Sequence, residues 1–285
     1  MSLQRAKSDL LGTRFADLRS VDETGSTNAD VRELLLAAAG GGTGAPAPIV
    51  LVADHQTAGR GRLDRTWEAP PGASILMSVG LVVTDLPVER RSLLTTCLAL
   101  AAVDAAVAAG LDQVRLKWPN DLVVDGTGDD APDDAAALGY RKLGGILAEQ
   151  FTVDGVGDCV VLGLGLNVNW PELPEELSAT ATSLNHLAGR DLDREQLVVD
   201  LLRSLDAVRL PQLEAGAAPT ELAAEYRRHS ATLDRRVRVE LPAGELVGLA
   251  VDVTSEGALV VQDDAGERHV VTVGDVVHLR PAPDA

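Results

Sequence analysis

The apolar pattern of this chain changes once, near residue 232, and that change constrains the fold more than any other feature of the sequence. Upstream, short apolar runs typical of buried strands are interleaved with longer runs of helical period. The predicted strands are 49–54, 74–83, 114–118, 122–124, 142–151 and 159–170, and the predicted helices are 28–39, 89–109, 194–210 and 215–229. This first region is therefore predicted to be an α/β domain.

Downstream of residue 232, five short β-rich runs are separated by the turn signals AG, SEG, DAG and GD, a pattern typical of a small barrel. A chain of 285 residues has room for one large domain and one small domain. We therefore predict a first domain over residues 1–232 and a second over 233–285. Between two predicted strands, the acidic segment 125–140 lacks any periodicity and is predicted to be a solvated excursion.

The bulk composition indicates a cytoplasmic protein. No run approaches the roughly 20 apolar residues of a membrane span, and the N-terminal MSLQRAKSDL lacks the apolar core of a signal peptide. Cys97 and Cys159 lie far apart in apolar stretches without metal-ligand spacing, which predicts buried, reduced thiols. The formal net charge of -18 disfavours binding to nucleic acid by bulk electrostatics.

Against this acidic background, the segment DHQTAGRGRLDRTW at residues 54–67 concentrates arginine and glycine. Glycine lets backbone N–H groups approach an anion closely, and the arginine fork suits carboxylate and phosphate oxygens. The segment matches neither a Walker A motif nor a dinucleotide-binding GxGxxG motif. Taken alone, it is equally compatible with a surface loop of solvated arginines.

Residue types that are scarce in this chain cluster in the same few segments. The chain has three lysines, five asparagines and three tryptophans. Those in or beside the short segments are Lys117, Lys142, Asn28, Asn120, Asn167, Asn169, Trp67, Trp118 and Trp170. We call residues 54–67 the Arg/Gly loop. The segments STN (26–28), KWPNDL (117–122), KLGGIL (142–147) and GLGLNVNW (163–170) are therefore further candidates for functional residues.

Each of these segments also has a purely structural interpretation. The STN triplet precedes a helix and supplies the commonest capping residues. Asn120 and Asp121 follow a proline and suit a turn, although an amide can also contact a base and a carboxylate can hold a hydrated cation. Lys142 at the start of a strand is compatible with a solvated lysine or with a point charge on a phosphate or carboxylate. GLGLNVNW is compatible with a strand-exit turn.

Together, the ordered set STN, HQTAGRGR with a following tryptophan, KWPNDL, KLGGIL and GLGLNVN, closed by a small β-rich module, resembles the biotin–protein ligases from residue 26 onward. The resemblance implies a mixed, largely antiparallel sheet backed by helices and a C-terminal SH3-like barrel. It also implies two reactions. Biotin and ATP, carried with Mg²⁺, give biotinyl-5′-AMP and pyrophosphate, and biotin then passes to a lysine of a biotin carboxyl carrier domain.

The same resemblance implies roles for individual residues. Arg62 and Lys142 are expected to stabilise the developing charge as catalytic residues. The residues expected to contact biotin or its adenylate are Ser26, Thr27, Asn28, Gln56, Gly59, Arg60, Gly61, Arg62, Lys142, Gly145 and Ile146. Arg65, Trp67, Asn120 and Asn167 are expected to contact the nucleotide. Asp121 is a candidate contact to Mg²⁺ bound to ATP.

Two features depart from the family pattern. Members of the family commonly have glycine immediately before the last arginine of the loop, whereas this chain has Asp64, so a conformationally permissive position is in question. Only about 25 residues precede STN, too few for the N-terminal DNA-binding domain of members that also repress transcription. We therefore expect a monofunctional ligase, monomeric or weakly dimeric, that binds neither nucleic acid nor membrane.

Three alternatives stay open at the level of sequence. A lipoate–protein ligase would share the fold, although KWPND and GRGR favour biotin. A nucleic-acid-binding module would use the Arg/Gly loop, against the acidic total charge. A catalytically silent biotin-binding relative is a third possibility, which the presence of Arg62 and Lys142 disfavours.

Overall fold

The computed structural model describes residues 3–38, 46–125, 139–215, 218–241 and 244–278. The acidic segment predicted to be a solvated excursion lies, apart from its ends, outside these residues.

A seven-stranded sheet forms the centre of the first domain. Its strands are β1 (Asp17–Thr24), β2 (Ile49–Gln56), β3 (Ser74–Val82), β4 (Arg115–Lys117), β5 (Asp121–Asp125), β6 (Tyr140–Val153) and β7 (Gly157–Asn167). Their spatial order is β1-β2-β3-β7-β6-β5-β4, with β1 and β2 parallel and every other neighbouring pair antiparallel. The prediction of a mixed, largely antiparallel sheet is therefore confirmed. β1 was not predicted, because its sequence DLRSVDET is polar and lies at the sheet edge.

Within the described ranges, eight α-helices accompany the sheet. They are α1 (Gln4–Asp9), α2 (Thr27–Ala38), α3 (Leu93–Ala108), α4 (Glu175–Ser178), α5 (Leu184–Ala188), α6 (Arg194–Ser204), α7 (Leu210–Glu214) and α8 (Ala218–His229). Eleven of the sixteen residues of α3 are buried. A π-helical turn, Leu205–Arg209, joins α6 to α7, where the sequence predicted one continuous helix.

The stretch Val88–Ala108, which contains α3, is long and apolar enough to cross a membrane by length and composition alone. The sequence-based expectation that no apolar run approaches the length of a membrane span is therefore wrong for this stretch. Within the most apolar 18-residue window, 61% is buried inside the protein, as is usual for the core helix of a globular domain.

The two faces of the sheet are covered differently. Because successive strand residues point to opposite faces, Val50 and Val52 join the main core with α3, whereas Ile49 and Leu51 join a smaller core beneath α2. Beyond the N-terminus of α2, the same face carries Gly145 on β6 and Gly163 and Gly165 on β7. This part of the sheet is the floor of a cleft.

The C-terminal module is a five-stranded antiparallel sheet. Its strands are β8 (Arg236–Leu241), β9 (Gly244–Val253), β10 (Leu259–Gln262), β11 (Arg268–Val271) and β12 (Asp275–His278), in the spatial order β11-β10-β9-β8-β12. All five β-rich runs expected from the sequence form strands. The described strands do not pair into a closed barrel, so the SH3-like barrel stays a prediction, as does the domain boundary at residue 232.

The module packs directly on the first domain. The indole N–H of Trp118 donates to the carbonyl of Gly257 at 2.9 Å, and Arg227 forms an ion pair with Asp252 at 2.5 Å. These contacts bring the turn before β12 to the edge of the cleft.

Gly80 on β3 allows α2 to lie close to the sheet. A Cβ atom at this position would lie 2.6 Å from Cγ1 of Val31 and 3.0 Å from Cδ1 of Leu35. We predict that Gly80→Ala lowers the free energy of unfolding by about 1–3 kcal/mol, because the added methyl group overpacks this contact. Urea denaturation measures the change. Gly25→Ala is the matched control, since a Cβ at Gly25 meets nothing within 4 Å, and equal stability of the two variants would contradict the prediction.

Candidate active site

An open cleft of about 830 Å³ lies over the uncovered face of β6 and β7. Its floor is bare backbone. A Cβ atom on Gly163 would lie 2.2 Å from Oδ1 of Asn28, and one on Gly165 would lie 2.5 Å from the ring of Trp67. Gly145 pairs directly with Gly165 across the two strands. The close approach of Asn28 and Trp67 to the sheet therefore requires glycine at both positions of β7.

One end of the cleft is polar and uncharged. The backbone N–H and the hydroxyl of Thr27 both donate to Oε1 of Gln56, at 2.7 and 2.9 Å. The hydroxyl of Ser78 lies 2.6 Å from Oδ1 of Asn28 and 2.7 Å from the hydroxyl of Thr27. Ser26 lies beside them and is nearly buried. The structure thus brings together the predicted residues Ser26, Thr27, Asn28 and Gln56, and adds Ser78.

Glu149 on β6 connects this polar end to the Arg/Gly loop. Its Oε2 atom accepts a hydrogen bond from the side-chain amide of Asn28 at 2.7 Å and from Arg60 at 2.9 Å. Sequence reasoning missed this residue, because a single glutamate on a strand carries no motif. Its place on the same strand face as Gly145 and Leu147 is the signal that the strand period offers.

The Arg/Gly loop is a compact hairpin. The N–H of Gly61 donates to the carbonyl of Arg65 at 2.6 Å, and the N–H of Trp67 donates to the carbonyl of Gly59 at 3.0 Å. A Cβ on Gly59 would lie 2.3 Å from the carbonyl oxygen of Trp67, so this position requires glycine.

Two residues at the loop tip have left-handed backbone conformations, Leu63 with φ 55° and Asp64 with φ 57°. Asp64 occupies the position where the family commonly has glycine, and the structure places it in the conformation that glycine adopts most easily. Aspartate tolerates this region better than most residues, whereas leucine does not. The loop therefore keeps its shape at a cost in backbone strain, most of it at Leu63.

Two arginines of the loop are held by groups from other elements. Arg62 donates to Oδ1 of Asn120 and to the carbonyl of Gly274, both at 3.1 Å. Arg65 donates to Oδ2 of Asp275 at 2.6 Å. Gly274 and Asp275 belong to the C-terminal module, so this module forms part of the cleft wall.

Asp275 is a charged member of the site that the sequence did not reveal. Burial favours its neutral form, but the hydrogen bond from Arg65 and the nearby charge of Lys117 outweigh burial and lower the pKa of the Asp275 carboxyl. Asp275 is therefore ionised at neutral pH and compensates part of the positive charge of the loop.

Lys142 on β6 lies close to Trp67 at the end of the loop. Its Nζ atom is 2.7 Å from Oδ1 of Asp121 and 5.8 Å from the centre of the Trp67 ring. Its backbone is fixed by hydrogen bonds to residues 180 and 182. The side chain is 34% exposed and is therefore accessible to a ligand.

Both carboxylate oxygens of Asp121 face lysine ammonium groups. One carboxylate oxygen contacts Lys142, and the other lies 4.0 Å from Nζ of Lys117. Within the described ranges, the one group of three or more potential metal ligands is Asp263, Glu267 and His269, on the hairpin between β10 and β11. We therefore assign no residue of the cleft to a metal, and contact of Asp121 with Mg²⁺ stays a prediction.

Of the remaining predicted residues, Asn120 and Ile146 line this cleft and Asn167 lines an adjoining one, and both asparagine amides are already engaged. The amide of Asn120 holds Arg62 and donates to the carbonyl of Ile146 at 2.8 Å. Ile146 borders the cleft, but its side chain is buried in the main core. Asn167 donates to the carbonyl of Thr182 at 3.1 Å and accepts from Ser74 at 3.3 Å. Their contacts with a nucleotide stay predictions.

A second cleft of about 1360 Å³ adjoins the first. The residues shared by the two clefts are Arg65, Thr66, Trp67, Asp121, Lys142 and Asp275. The indole N–H of Trp67 is buried between them, without a hydrogen-bond partner among the described residues. Two molecules bound in the two clefts would meet beside Lys142.

Comparisons with known proteins agree with these features. Residues 41–167 match the biotin/lipoate A/B protein ligase family, and residues 232–279 match the biotin protein ligase C-terminal domain. The chain is 42% identical over 273 residues to a biotin–[acetyl-CoA-carboxylase] ligase of Mycobacterium tuberculosis, covering 94% of this chain and 91% of the relative.

More distant proteins match over most of this chain. The bifunctional ligase/repressor BirA of Bacillus subtilis is 29% identical over 79% of this chain, and the match spans 65% of BirA. A biotin protein ligase from Aquifex aeolicus, solved in complex with biotin and ATP, has a TM-score of 0.74 at 24% identity and shares the fold over 94% of this chain and all of that one. The chain belongs to the biotin protein ligases of the biotin/lipoate A/B protein ligase family.

Proposed function

We propose that this protein is an ATP-dependent biotin–protein ligase. It activates biotin with ATP to biotinyl-5′-AMP and then transfers biotin to a lysine of a biotin carboxyl carrier domain. The observation that carries the proposal is a single cleft with an uncharged polar end, a glycine floor and a cationic end, built from motifs that are distant in the sequence.

The cleft matches the shape and polarity of biotin. The fused ring head of biotin carries a cyclic urea, which requires hydrogen-bond donors and acceptors without charge. Ser26, Thr27, Asn28 and Gln56 supply both kinds at one end. The glycine floor leaves room for the flat ring system and the apolar chain. The carboxylate of biotin then lies toward Arg62 and Lys142.

The cationic end fits the first reaction. The biotin carboxylate has to attack the α-phosphate of ATP, and the two anions repel each other. Arg62 and Lys142 offset this repulsion and stabilise the charge that develops on the phosphate oxygens as pyrophosphate leaves. We place the nucleotide in the adjoining cleft, beside Trp67. Mg²⁺ enters as part of the Mg–ATP substrate.

The second reaction needs the same groups. The ε-amine of the acceptor lysine attacks the carbonyl carbon of the mixed anhydride, AMP leaves, and the amine loses a proton. Arg60, Gly61 and Arg62 then cover the adenylate and limit its hydrolysis. No covalent bond to the enzyme forms. The acceptor is a biotin carboxyl carrier domain of the kind found in acetyl-CoA carboxylase, by analogy with the name of the mycobacterial relative.

The setting of the reaction is proposed from composition and family. We place the protein in the cytoplasm, as a monomer or weak homodimer. Its acidic charge argues against nucleic acid as a partner, and the burial of Val88–Ala108 in the core argues against a membrane partner.

We predict that Arg62→Ala and Lys142→Ala each lower biotin-dependent ATP–pyrophosphate exchange by about 10²–10³-fold, as is typical for loss of one preorganised charge-stabilising group. The melting temperature and circular dichroism should stay close to those of the wild type, because both side chains lie at the cleft and outside the core. Lys7→Ala and Arg190→Ala are the matched controls, since both residues are exposed. Wild-type exchange rates in either cleft variant would refute the assigned role.

We also predict that the protein, incubated with Mg–ATP, biotin and an apo biotin carboxyl carrier domain, adds one biotinyl group to one lysine of the carrier. Intact-mass spectrometry measures the product. A carrier with arginine at the acceptor position is the control and should gain no mass. Transfer of lipoate in place of biotin would indicate a lipoate ligase, and biotin binding without turnover would indicate a catalytically silent relative.

A further inference from the structure

Lys117 is a buried cation that lines the adjoining cleft, and the proposed reaction does not use it. Its side chain is 3% exposed, and its Nζ atom lies 5.1 Å from the centre of the Tyr140 ring. Burial lowers the pKa of the ammonium group, and the nearest carboxylate, that of Asp121, opposes this effect. An ammonium group is costly to bury unless it is well paired. The groups around Lys117 therefore indicate what its charge does.

The nearest carboxylate is shared between two lysines. Lys117 and Asp121 face each other across the β4–β5 hairpin, with Nζ 4.0 Å from Oδ2. The other oxygen of Asp121 is 2.7 Å from Nζ of Lys142. The closer ion pair is therefore the one with Lys142, and Lys117 lies at the other carboxylate oxygen, where it lines the adjoining cleft with little of its side chain exposed.

In this arrangement, Asp121 competes with the substrates for the ammonium group of Lys142. If Lys142 acts on the biotin carboxylate and the α-phosphate, it has to exchange its bond with Asp121 for a bond with substrate oxygens. A carboxylate paired with Lys142 alone would resist that exchange. A second cation behind the carboxylate compensates its charge and makes the exchange easier.

We infer that Lys117 is a positioning residue that acts through Asp121: it holds the carboxylate in place and shares its charge, so that Lys142 is free to bind the reacting oxygens. The inference rests on the proposed ligase function and deepens it. It assigns no contact between Lys117 and the substrates.

The first test is Lys117→Met, which keeps the length of the side chain and removes its charge. We expect kcat for biotin-dependent pyrophosphate exchange to fall about tenfold, which corresponds to about 1.4 kcal/mol. KM for biotin and for ATP should not change. The melting temperature should be unchanged or higher, because removal of a buried, imperfectly paired cation is often neutral or stabilising. Lys7→Met is the matched control, since Lys7 is exposed and lines neither cleft.

The second test is a double-mutant cycle with Asp121→Asn. Because Lys117 acts through Asp121, Lys117→Met should have little further effect once the carboxylate is neutral. The cycle is measured on the exchange rate and on the affinity for biotinyl-5′-AMP, so a slow variant still gives a result. Independent, multiplying effects would show that Lys117 contacts the substrate directly and would overturn the inference.

Different results would refute the ligase function and the role of Lys117. Absence of biotin-dependent exchange in the wild-type protein refutes the ligase function itself. Wild-type activity together with unchanged activity of Lys117→Met refutes only the role of Lys117. A large fall in the melting temperature of Lys117→Met would identify a structural role and overturn the inference as well.

Discussion

The site depends on one constraint, the absence of side chains on part of one sheet face. Where Ile49 and Leu51 face α2, the sheet is covered by a small apolar core. Where Gly163 and Gly165 lie on the same face of β7, the backbone is bare, and Asn28 and Trp67 approach it within distances that a Cβ atom would forbid. The cleft is therefore a direct consequence of the two-residue period of β7 combined with glycine at alternate positions.

A second property follows from how charge is distributed in an acidic protein. Each cation of the cleft is held by a partner from another element: Arg60 by Glu149, Arg65 by Asp275 and Lys142 by Asp121. Such partners preorganise the cations before a substrate arrives, which reduces the reorganisation needed during reaction. They also compete with anionic substrates, so the strength of each pair influences turnover. Arg62 differs, since neutral oxygens hold it.

Much of the fold followed from apolar periodicity, and the exceptions have physical causes. The strands at 49–56 and 74–82 were predicted because both of their faces are buried, which leaves continuous apolar runs. β1 was missed because an edge strand with one polar face has no such run. The helix predicted over 194–210 contains a π-helical turn at Leu205–Arg209. The change from i→i+4 to i→i+5 hydrogen bonds in such a turn cannot be recognised from the spacing of apolar residues.

The sequence by itself determined the classes of element, the change to β structure after residue 232 and the short motifs that identify the family. Those features depend on residues that are close together in the sequence, so the local sequence pattern is sufficient to predict them. Only the tertiary structure decided that Arg65 meets Asp275, 210 residues away, and that Arg60 meets Glu149, 89 residues away. Which acceptor holds which cation depends on how the sheet, α2 and the C-terminal module pack together, and no local pattern carries that information.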